Sequence, residues 1–423
     1  MKHRIAKAAM TEGIADTLNR ANDRHVRLYR RWAEGGTRLL ITGNVMVDWR
    51  YLERPGNVVI DGPQSDEQLA RLRAWSSAAR EAGADVWMQL SHAGRQSPKI
   101  VSREPVAPSA VPMGIPGDIF AAPRALHAEE IEDVITRFIH AAKVAKQTGF
   151  TGVQIHAAHG YLLSEFLSPR VNQRTDEWGG SLQNRARLLM RTIEGVRAAV
   201  GGSFPVSVKL NSSDFQKGGF APDEAIRVAA WLEQAGVDLL EISGGSYEQP
   251  VMADMDGIEA RYEETKRQST RDREAYFLSY AQEIRAATTL PLMVTGGFRS
   301  RRAMVDAIDT RACDVCGMAR PLCVDPGAPA KLMNGDLDSV PSWEKRLLLE
   351  PGSPDPDTPI EHINAINLLG VAAFFYQNIF RLADGKEPAE KVDLSSTYLK
   401  HQSDEARLAR SLQRPRIQGL SHF

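Results

Sequence analysis

The chain has 423 residues, of which 43% are hydrophobic and 25% charged, so it can bury a large core in one or two domains. Its 52 basic and 53 acidic residues give a formal net charge of −1, which favours neither nucleic acid nor an anionic membrane as a partner. No apolar run approaches the roughly 20 residues that span a bilayer, and the first residues lack the apolar stretch of a secretory signal. We therefore expect a cytoplasmic protein.

Short apolar runs alternate along the chain with longer amphipathic segments, a pattern typical of strands that are each followed by a helix. The predicted strands are Arg4–Met10, Arg38–Gly43, Asp85–Leu90, Gly152–His156, Pro205–Leu210, Asp238–Ser243, Pro291–Thr295 and Asp314–Gly317. The predicted helices between them are Asn22–Glu34, Ser65–Ala82, Glu129–Thr148, Leu182–Val200, Pro222–Ala235, Arg273–Ala287 and Ser300–Ala307. This repetition predicts a (β/α)8 barrel. A doubly wound sheet is the main alternative, but no G-x-G-x-x-G motif follows any strand.

Two connections after strands are much longer than usual. They are Ser91–His127, which is rich in proline, and Gly244–Asp272, which contains Tyr247 and Tyr262. We expect these loops to cover the mouth of the barrel, where the two tyrosines could close over a substrate. Surface insertions without a catalytic role are the alternative.

The part of the chain after the barrel is predicted to have a different character. The barrel occupies residues 1–325, and residues 326–423 form a Pro-rich linker and a helical extension. A terminal helix over Ile360–Leu382 carries many apolar side chains that need a partner surface. That surface is either the barrel itself or a second subunit of a homo-oligomer.

The segment Val153–Leu163 carries the most chemistry, because it runs an apolar strand directly into two imidazoles and a phenol. His156 and His159 can hold an electron-rich oxygen, and Tyr161 can deliver a proton beside it. In a barrel, catalytic groups lie at the carboxyl ends of the strands, where this segment falls. Because H-x-x-H can also ligate zinc, a metal-dependent hydrolase or lyase is an alternative, with Asp214 or Glu241 nominated to complete the site.

A series of fragments, in a specific order and spacing, resembles the old yellow enzyme family of FMN-dependent NAD(P)H oxidoreductases, most of all its single-domain bacterial-type members. The fragments are Arg4–Thr11, Leu40–Asn44, Gln89–Arg95, Ile155–Leu163, Phe166–Pro169, Arg174–Asp176, Trp178–Leu182, Val208–Leu210, Thr295–Phe298 and Gly317–Pro321. The resemblance implies an FMN cofactor, with NADH or NADPH as the reductant. Family members usually carry a further segment before the first strand, so we expect lower stability or weaker FMN retention here.

The resemblance also implies which residues contact the flavin ring. Gln89 would hydrogen-bond to the pyrimidine edge, and Thr11 and Asn44 would lie near the C4 carbonyl and N5. Lys209 would supply the cation near N1 and O2, where many members carry arginine. An ion pair between Lys209 and Asp214 is the alternative for this lysine.

The FMN phosphate is expected after the seventh and eighth strands, the usual phosphate-binding corner of a barrel. Gly296 and Gly297 would offer backbone N–H donors there, together with the turn at Ala319 and Arg320. The guanidinium of Arg320 suits a forked phosphate contact, although a surface ion pair is its alternative role.

The resemblance implies an enzyme that reduces the C=C bond of activated alkenes such as enones in a ping-pong cycle. His156 and His159 would hold the substrate carbonyl, and Tyr161 would protonate the α-carbon. We expect a small-molecule substrate and no metal site. A flavin-binding protein without catalytic activity is a further alternative.

Overall fold

The computed structural model describes residues 3–115, 117–251, 274–349 and 360–413. Eight parallel strands of this part of the chain close into a barrel, because the first strand pairs with the eighth and the second pairs with the third. They are β1 Ile5–Lys7, β2 Leu39–Ile41, β3 Asp85–Ser91, β4 Gly152–Ala157, β5 Val206–Asn211, β6 Leu239–Ser243, β7 Leu292–Thr295 and β8 Val315–Met318. Each overlaps its predicted range, so the predicted (β/α)8 barrel is confirmed.

Helices connect the successive strands. They are α1 Asp23–Glu34, α2 Asp66–Glu81, α3 Ala128–Gln147, α4 Leu162–Leu167, α5 Leu182–Val200, α6 Pro222–Gln234, α7 Leu278–Arg285 and α8 Arg301–Asp309. Polar residues immediately before several helices accept hydrogen bonds from first-turn N–H groups, as Ser65 does from Gln68 and Ser300 from Ala303. These caps fix where α2 and α8 begin.

The prediction for the helix before β7 was wrong at its start. A helix over Arg273–Ala287 is predicted, but the observed α7 begins only at Leu278, and Arg273 lies outside the described residues. Ala275 has a φ of +65°, a left-handed conformation that interrupts a helix. The carboxylate of Glu274 instead accepts hydrogen bonds from the backbone N–H groups of Arg299 and Ser300, at 3.0 and 2.8 Å.

Side chains alternate along the strands between the barrel interior and the surrounding helices. Val153 and Ile155 of β4 belong to the main apolar core, whereas Gln154 contacts polar groups of neighbouring strands. The interior is filled as well: a Cβ at Gly152 would lie 2.6 Å from the side chain of Trp87. Glycine is therefore what allows Trp87 to occupy this space.

The segment after β8 is more structured than the predicted Pro-rich linker. It contains the short helices α9 Pro321–Val324, α10 Ala328–Asn334 and α11 Trp343–Arg346, and residues 350–359 lie outside the described part. Two longer helices follow, α12 Ile360–Ala383 and α13 Leu394–Ser411, which we call the extension. The prediction contained α12 but missed α13.

The extension lies against the barrel of the same chain. Arg24 of α1 pairs with Asp384 at 2.8 Å, and Arg31 of α1 pairs with Glu387 at 2.6 Å. Phe374 and Ile379 of α12 are buried. The barrel is thus one partner of the apolar face that the sequence predicts. Among the helices that the structure describes, none is long and apolar enough to cross a membrane.

Candidate active site

Buried polar side chains gather towards the carboxyl ends of β3 to β6. We call this whole end of the barrel, where every strand has its carboxyl end, the barrel mouth. The register of the sheet brings them together, because Gln89 lies beside Gln154, and Lys209 lies between His156 and Glu241. All five are less than 4% exposed. Buried polar groups in such numbers need partners in the protein or in a ligand.

A chain of contacts runs across this interior. Nε2 of Gln89 donates to Oε1 of Gln154 at 2.7 Å, and Nε2 of Gln154 donates to Oε2 of Glu241 at 2.8 Å. The other Glu241 oxygen lies 3.0 Å from Nζ of Lys209, an ion pair without good hydrogen-bond direction. Asp214, the partner considered from sequence, instead accepts from Asn211 and Phe220, so that alternative was wrong. Lys209 is neutralised by Glu241.

The two histidines lie side by side at the mouth, with ring centroids 5.2 Å apart. Nδ1 of His156 accepts the N–H of Ala158 at 3.2 Å, so the proton of the neutral ring is on Nε2. Nε2 of His159 is 2.7 Å from Oγ of Ser243. Burial, and then the charge of Lys209, lower the pKa of both histidines well below the usual value. Both imidazoles are therefore neutral at pH 7.

Tyr161 lies at the start of α4, with its ring 4.8 Å from that of His156. Its hydroxyl accepts from Nδ2 of Asn44 at 3.3 Å, and the same amide contacts the hydroxyl of Thr11 at 3.3 Å. The structure thus brings together four residues that the sequence nominates. Burial, reinforced by the charge of Glu53, raises the pKa of Tyr161 well above its usual value, so the phenol keeps its proton.

Three further residues belong to this site, and two of them, Glu53 and Gln96, were not predicted at all. The hydroxyl of Tyr247, predicted only as part of a covering loop, is 2.8 Å from that of Tyr161 and donates to Oε1 of Glu53 at 3.1 Å. Gln96 accepts the N–H of Tyr247 at 3.2 Å and donates to the carbonyl of His159 at 2.9 Å. Glu53 lies in a loop and Gln96 ends a short 3-10 helix, Gly94–Gln96, and neither segment has a recognisable pattern. A sequence signal existed only for Tyr247.

The ends of β7 and β8 form the predicted phosphate corner, which comprises Gly296, Gly297, Ala319 and Arg320. The glycines have φ values of +127° and +91°, and a Cβ at Gly297 would lie 2.7 Å from the backbone nitrogen of Ala275. Only glycine fits this turn without strain. The pairing of β7 with β8 places both turns at the same edge of the barrel.

The guanidinium of Arg320 at the phosphate corner forms an ion pair with Oε1 of Glu344 at 3.7 Å, and the same oxygen accepts a hydrogen bond from Arg299 at 2.7 Å. Burial acts to raise the pKa of Glu344, but Arg320 and Arg299 outweigh it and hold the pKa below its usual value. Glu344 is thus a carboxylate that holds two guanidinium groups beside the corner.

These residues fit FMN. Lys209 and Gln89 supply a cation and an amide at the mouth, and Oδ1 of Asn44 is a buried acceptor without a partner among the described residues. The glycine turn and Arg320 form an anion-binding corner at the usual place in a barrel. No group of three or more His, Cys, Asp or Glu that could hold a metal occurs in the described part of the chain. Glu241 and Asp214, nominated as metal ligands, have the other partners given above.

Comparison with known proteins agrees with this assignment. The profile of the NADH:flavin oxidoreductase / NADH oxidase family matches residues 1–338. The NADH-dependent flavin oxidoreductase iliE of Hypocrea jecorina (strain QM6a) is 36% identical over 350 residues, which cover 79% of this chain and 86% of that protein.

Two solved structures share the fold. The old yellow enzyme homologue of Zymomonas mobilis has a TM-score of 0.66 and 26% identity, covering 80% of this chain and 90% of its own. The complex of 2-naphthoyl-CoA reductase with 2-naphthoyl-CoA has a TM-score of 0.71 and 29% identity, covering 80% of this chain and 51% of its own. The chain therefore belongs to the old yellow enzyme family of NADH:flavin oxidoreductases, and it is an FMN-dependent oxidoreductase that uses NADH or NADPH.

Proposed function

We propose that this enzyme takes hydride from NADH or NADPH and reduces the C=C bond of activated alkenes such as enones. The observation that carries the proposal is the grouping of His156, His159 and Tyr161 at the barrel mouth. Two neutral imidazoles lie 5.2 Å apart, and a protonated phenol lies beside them. This is a hydrogen-bonding site for a carbonyl oxygen next to an acid.

The cofactor would be held by residues that the structure places around the mouth. Gln89, Lys209, Thr11 and Asn44 would contact the ring, and the phosphate corner would hold the phosphate. When bound, FMN supplies the hydride chemistry, receiving hydride from the nicotinamide and passing it to the alkene. Lys209 would stabilise negative charge on the ring, and its ion pair with Glu241 would limit that effect.

His156 and His159 would orient and polarise the substrate. Nε2–H of His156 is a donor that no described residue uses, so it is available to a substrate carbonyl oxygen. The contact of Nε2 of His159 with Ser243 fixes the orientation of the second ring. Hydrogen bonds to this oxygen strengthen as it gains charge in the transition state, which makes the β-carbon accept hydride more readily.

Tyr161 would donate the proton. Because its pKa is raised, the hydroxyl is protonated at neutral pH and can act as a general acid. Hydride adds to the β-carbon, the phenolic proton adds to the α-carbon, and the π bond is lost. One nicotinamide and one proton are consumed for each alkene reduced.

Two other functions fit fewer of these observations. A metal-dependent hydrolase or lyase leaves the Gln89–Glu241–Lys209 chain and the phosphate corner without a role. A flavin-binding protein without catalytic activity has no use for a buried phenol beside two oriented imidazoles.

The test is an absorbance spectrum of the purified protein, recorded without oxygen before and after NADPH and then after 2-cyclohexenone. We expect flavin bands near about 375 and 450 nm that bleach with NADPH, or with NADH, and return with the enone. Bands that bleach but return only with oxygen would contradict alkene reduction. A protein that stays colourless after FMN is added would contradict the flavin function altogether.

A further inference from the structure

Beside the proposed proton donor lies a second phenol and a carboxylate. We propose that Tyr247 and Glu53 form a proton relay that restores the proton of Tyr161 after each turnover. The proposal rests on the function proposed above, because it concerns the proton that Tyr161 gives to the alkene. Neither Tyr247 nor Glu53 would contact the reacting carbons, so both would act through Tyr161.

The relay is a continuous line of hydrogen bonds. The two phenolic oxygens are 2.8 Å apart, and the hydroxyl of Tyr247 is 3.1 Å from Oε1 of Glu53. The other Glu53 oxygen accepts from Nδ2 of Asn57 at 3.3 Å. Each distance is short enough for a hydrogen bond, and a proton moves along such a line by hopping between oxygens.

A relay is needed because Tyr161 is buried. Its side chain is only 4% exposed, so bulk water has little access to the hydroxyl. Once it has given its proton, the phenolate is desolvated and lies near the Glu53 carboxylate, an environment that opposes a negative charge. Asn44 donates one hydrogen bond to this oxygen but has no acidic proton to give. Among the described residues, Tyr247 supplies a hydroxyl within hydrogen-bond distance of the Tyr161 oxygen.

Tyr247 is held in place by contacts that are independent of the relay. Its N–H donates to Gln96, and its neighbour Glu248 forms a buried ion pair with Arg95 at 2.6 Å. The second oxygen of Glu248 accepts from the N–H of Gly114 at 2.7 Å. These bonds tie the loop after β6 to the loop after β3, so the hydroxyl of Tyr247 has a defined position.

Glu53 is also anchored, through the next residue. The guanidinium of Arg54 lies 3.5 Å from the centre of the Tyr376 ring and contacts His401 and Glu405 of the extension. The extension therefore covers the far side of the segment that carries the carboxylate. Residues of the barrel mouth and of the extension meet at Glu53 and Arg54.

The proton that replaces the one given to the alkene comes from solvent. Tyr161 loses its proton to the α-carbon, the O–H bond of Tyr247 breaks as Tyr161 is reprotonated, and the protonated form of Glu53 restores Tyr247. Glu53, left as a carboxylate, then takes a proton from solvent hydronium or a buffer acid. When Glu53 is a carboxylate it accepts from Tyr247, and the line of O–H bonds points away from the substrate. When Glu53 carries a proton the line reverses, which frees the O–H of Tyr161 for the substrate.

The test measures kcat for repeated turnover of the holoenzyme with NADH and 2-cyclohexenone, without oxygen, in H2O and in D2O. Rapid mixing gives the rates of reduction by NADH and of a single re-oxidation by the enone for comparison. Tyr247→Phe and Glu53→Gln remove the relay while keeping the size of each side chain. We expect kcat to fall about tenfold or more, with a changed solvent isotope effect, while each half-reaction measured once from the resting protein keeps a rate near that of the wild type. Tyr51→Phe, a buried tyrosine whose ring packs on His92 outside the relay, is the matched control.

A double variant separates a relay from a structural effect. If Tyr247 acts only through Tyr161, Tyr161→Phe/Tyr247→Phe will have a kcat no lower than that of Tyr161→Phe alone. Multiplied losses of kcat, a loss of kcat that a slower half-reaction fully explains, or a wild-type kcat in both single variants would contradict the relay while alkene reduction still stands. Failure of the reduced wild-type enzyme to react with the enone would instead contradict the proposed function, and the relay with it.

Discussion

The barrel mouth and the extension both contain buried charges and aromatic rings, but the partners of the buried polar groups differ between the two regions. At the mouth, Oδ1 of Asn44 is buried without a described partner, and the pKa values of His156, His159 and Tyr161 are far from their usual values. In the extension, the side chains that always carry charge are matched across the contact, as Arg54 is with Glu405, although Nδ1 of His401 is buried there without a described partner. Buried acids, acceptors and imidazoles grouped at the carboxyl end of a barrel mark a site for a ligand, whereas charges matched across a contact mark a docking surface.

The two regions also differ in whether the profile of the family includes them. The family profile ends at residue 338, before both helices of the extension begin. We therefore expect changes at the mouth to alter chemistry and changes in the extension to alter stability. The following predictions test that division, from the largest effect to the smallest.

His156→Ala and His159→Ala should each lower kcat/KM for an enone by about 10²–10³-fold, because each removes a hydrogen bond to the oxygen that gains charge. They should also abolish the long-wavelength absorbance band that phenols give when bound against the oxidised flavin. His401→Gln, a change to a buried histidine of the extension, is the matched control and should leave the band intact. A band that persists in both mouth variants would place the anion-binding position elsewhere.

Arg54→Ala should lower the free energy of unfolding by about 3 kcal/mol, because it leaves a partly buried carboxylate of Glu405 without its partner. The double change Arg54→Ala/Glu405→Ala should be less damaging than the sum of the two single changes. Denaturant unfolding followed by circular dichroism measures all three variants. Additive losses would show that the ion pair does not couple the extension to the barrel.

Acid should lower the free energy of unfolding, because His401 of the extension takes up a proton when the chain unfolds. Burial, and then Arg54, lower the pKa of His401 to about 4 from 6.5, so the unfolded chain binds this proton more readily than the folded chain. The resulting stability is complete above pH 6.5 and is lost as the pH falls towards 4, by about 2 kcal/mol. Unfolding of the wild type and of His401→Gln at pH 7 and pH 4.5 measures it. An identical pH dependence in both would contradict this assignment.

Glu241→Gln should raise the reduction potential of bound FMN by about 30–60 mV, because Lys209 would no longer be neutralised when the ring gains charge. Asp214→Asn is the control, since this carboxylate is not paired with Lys209. A dye-coupled redox titration gives both potentials. The role of the ion pair would be ruled out by an unchanged potential in Glu241→Gln or by the same shift in both variants.

The parts of this structure that could be predicted from sequence are those encoded locally. Strand and helix periodicity gave the barrel, and the short spacing of His156, His159 and Tyr161 on one strand end gave the core of the site. Lys209 pairs with Glu241 and not with Asp214, the partner considered from sequence. This pairing depends on the register between β5 and β6, which no local pattern encodes. Contacts between distant segments are what sequence periodicity does not contain.

The same reason explains the residues that were missed. Glu53 reaches Tyr247 across 194 positions of the chain, and Arg54 reaches Glu405 across 351. Helix α13 buries Leu394, Thr397 and His401 on an otherwise polar surface, so its apolar period is too weak to predict a helix. The side chains that α13 contacts, such as Arg54, lie far away in the sequence.

The central claim is that the barrel mouth reduces alkenes with Tyr161 as the acid. Rapid mixing of NADH-reduced wild type and Tyr161→Phe with 2-cyclohexenone tests it most directly. We predict that NADH reduces both proteins at the same rate and that the enone re-oxidises Tyr161→Phe at least about a hundredfold more slowly than the wild type. Equal re-oxidation of the two proteins, or a wild type that the enone does not re-oxidise, would contradict the claim.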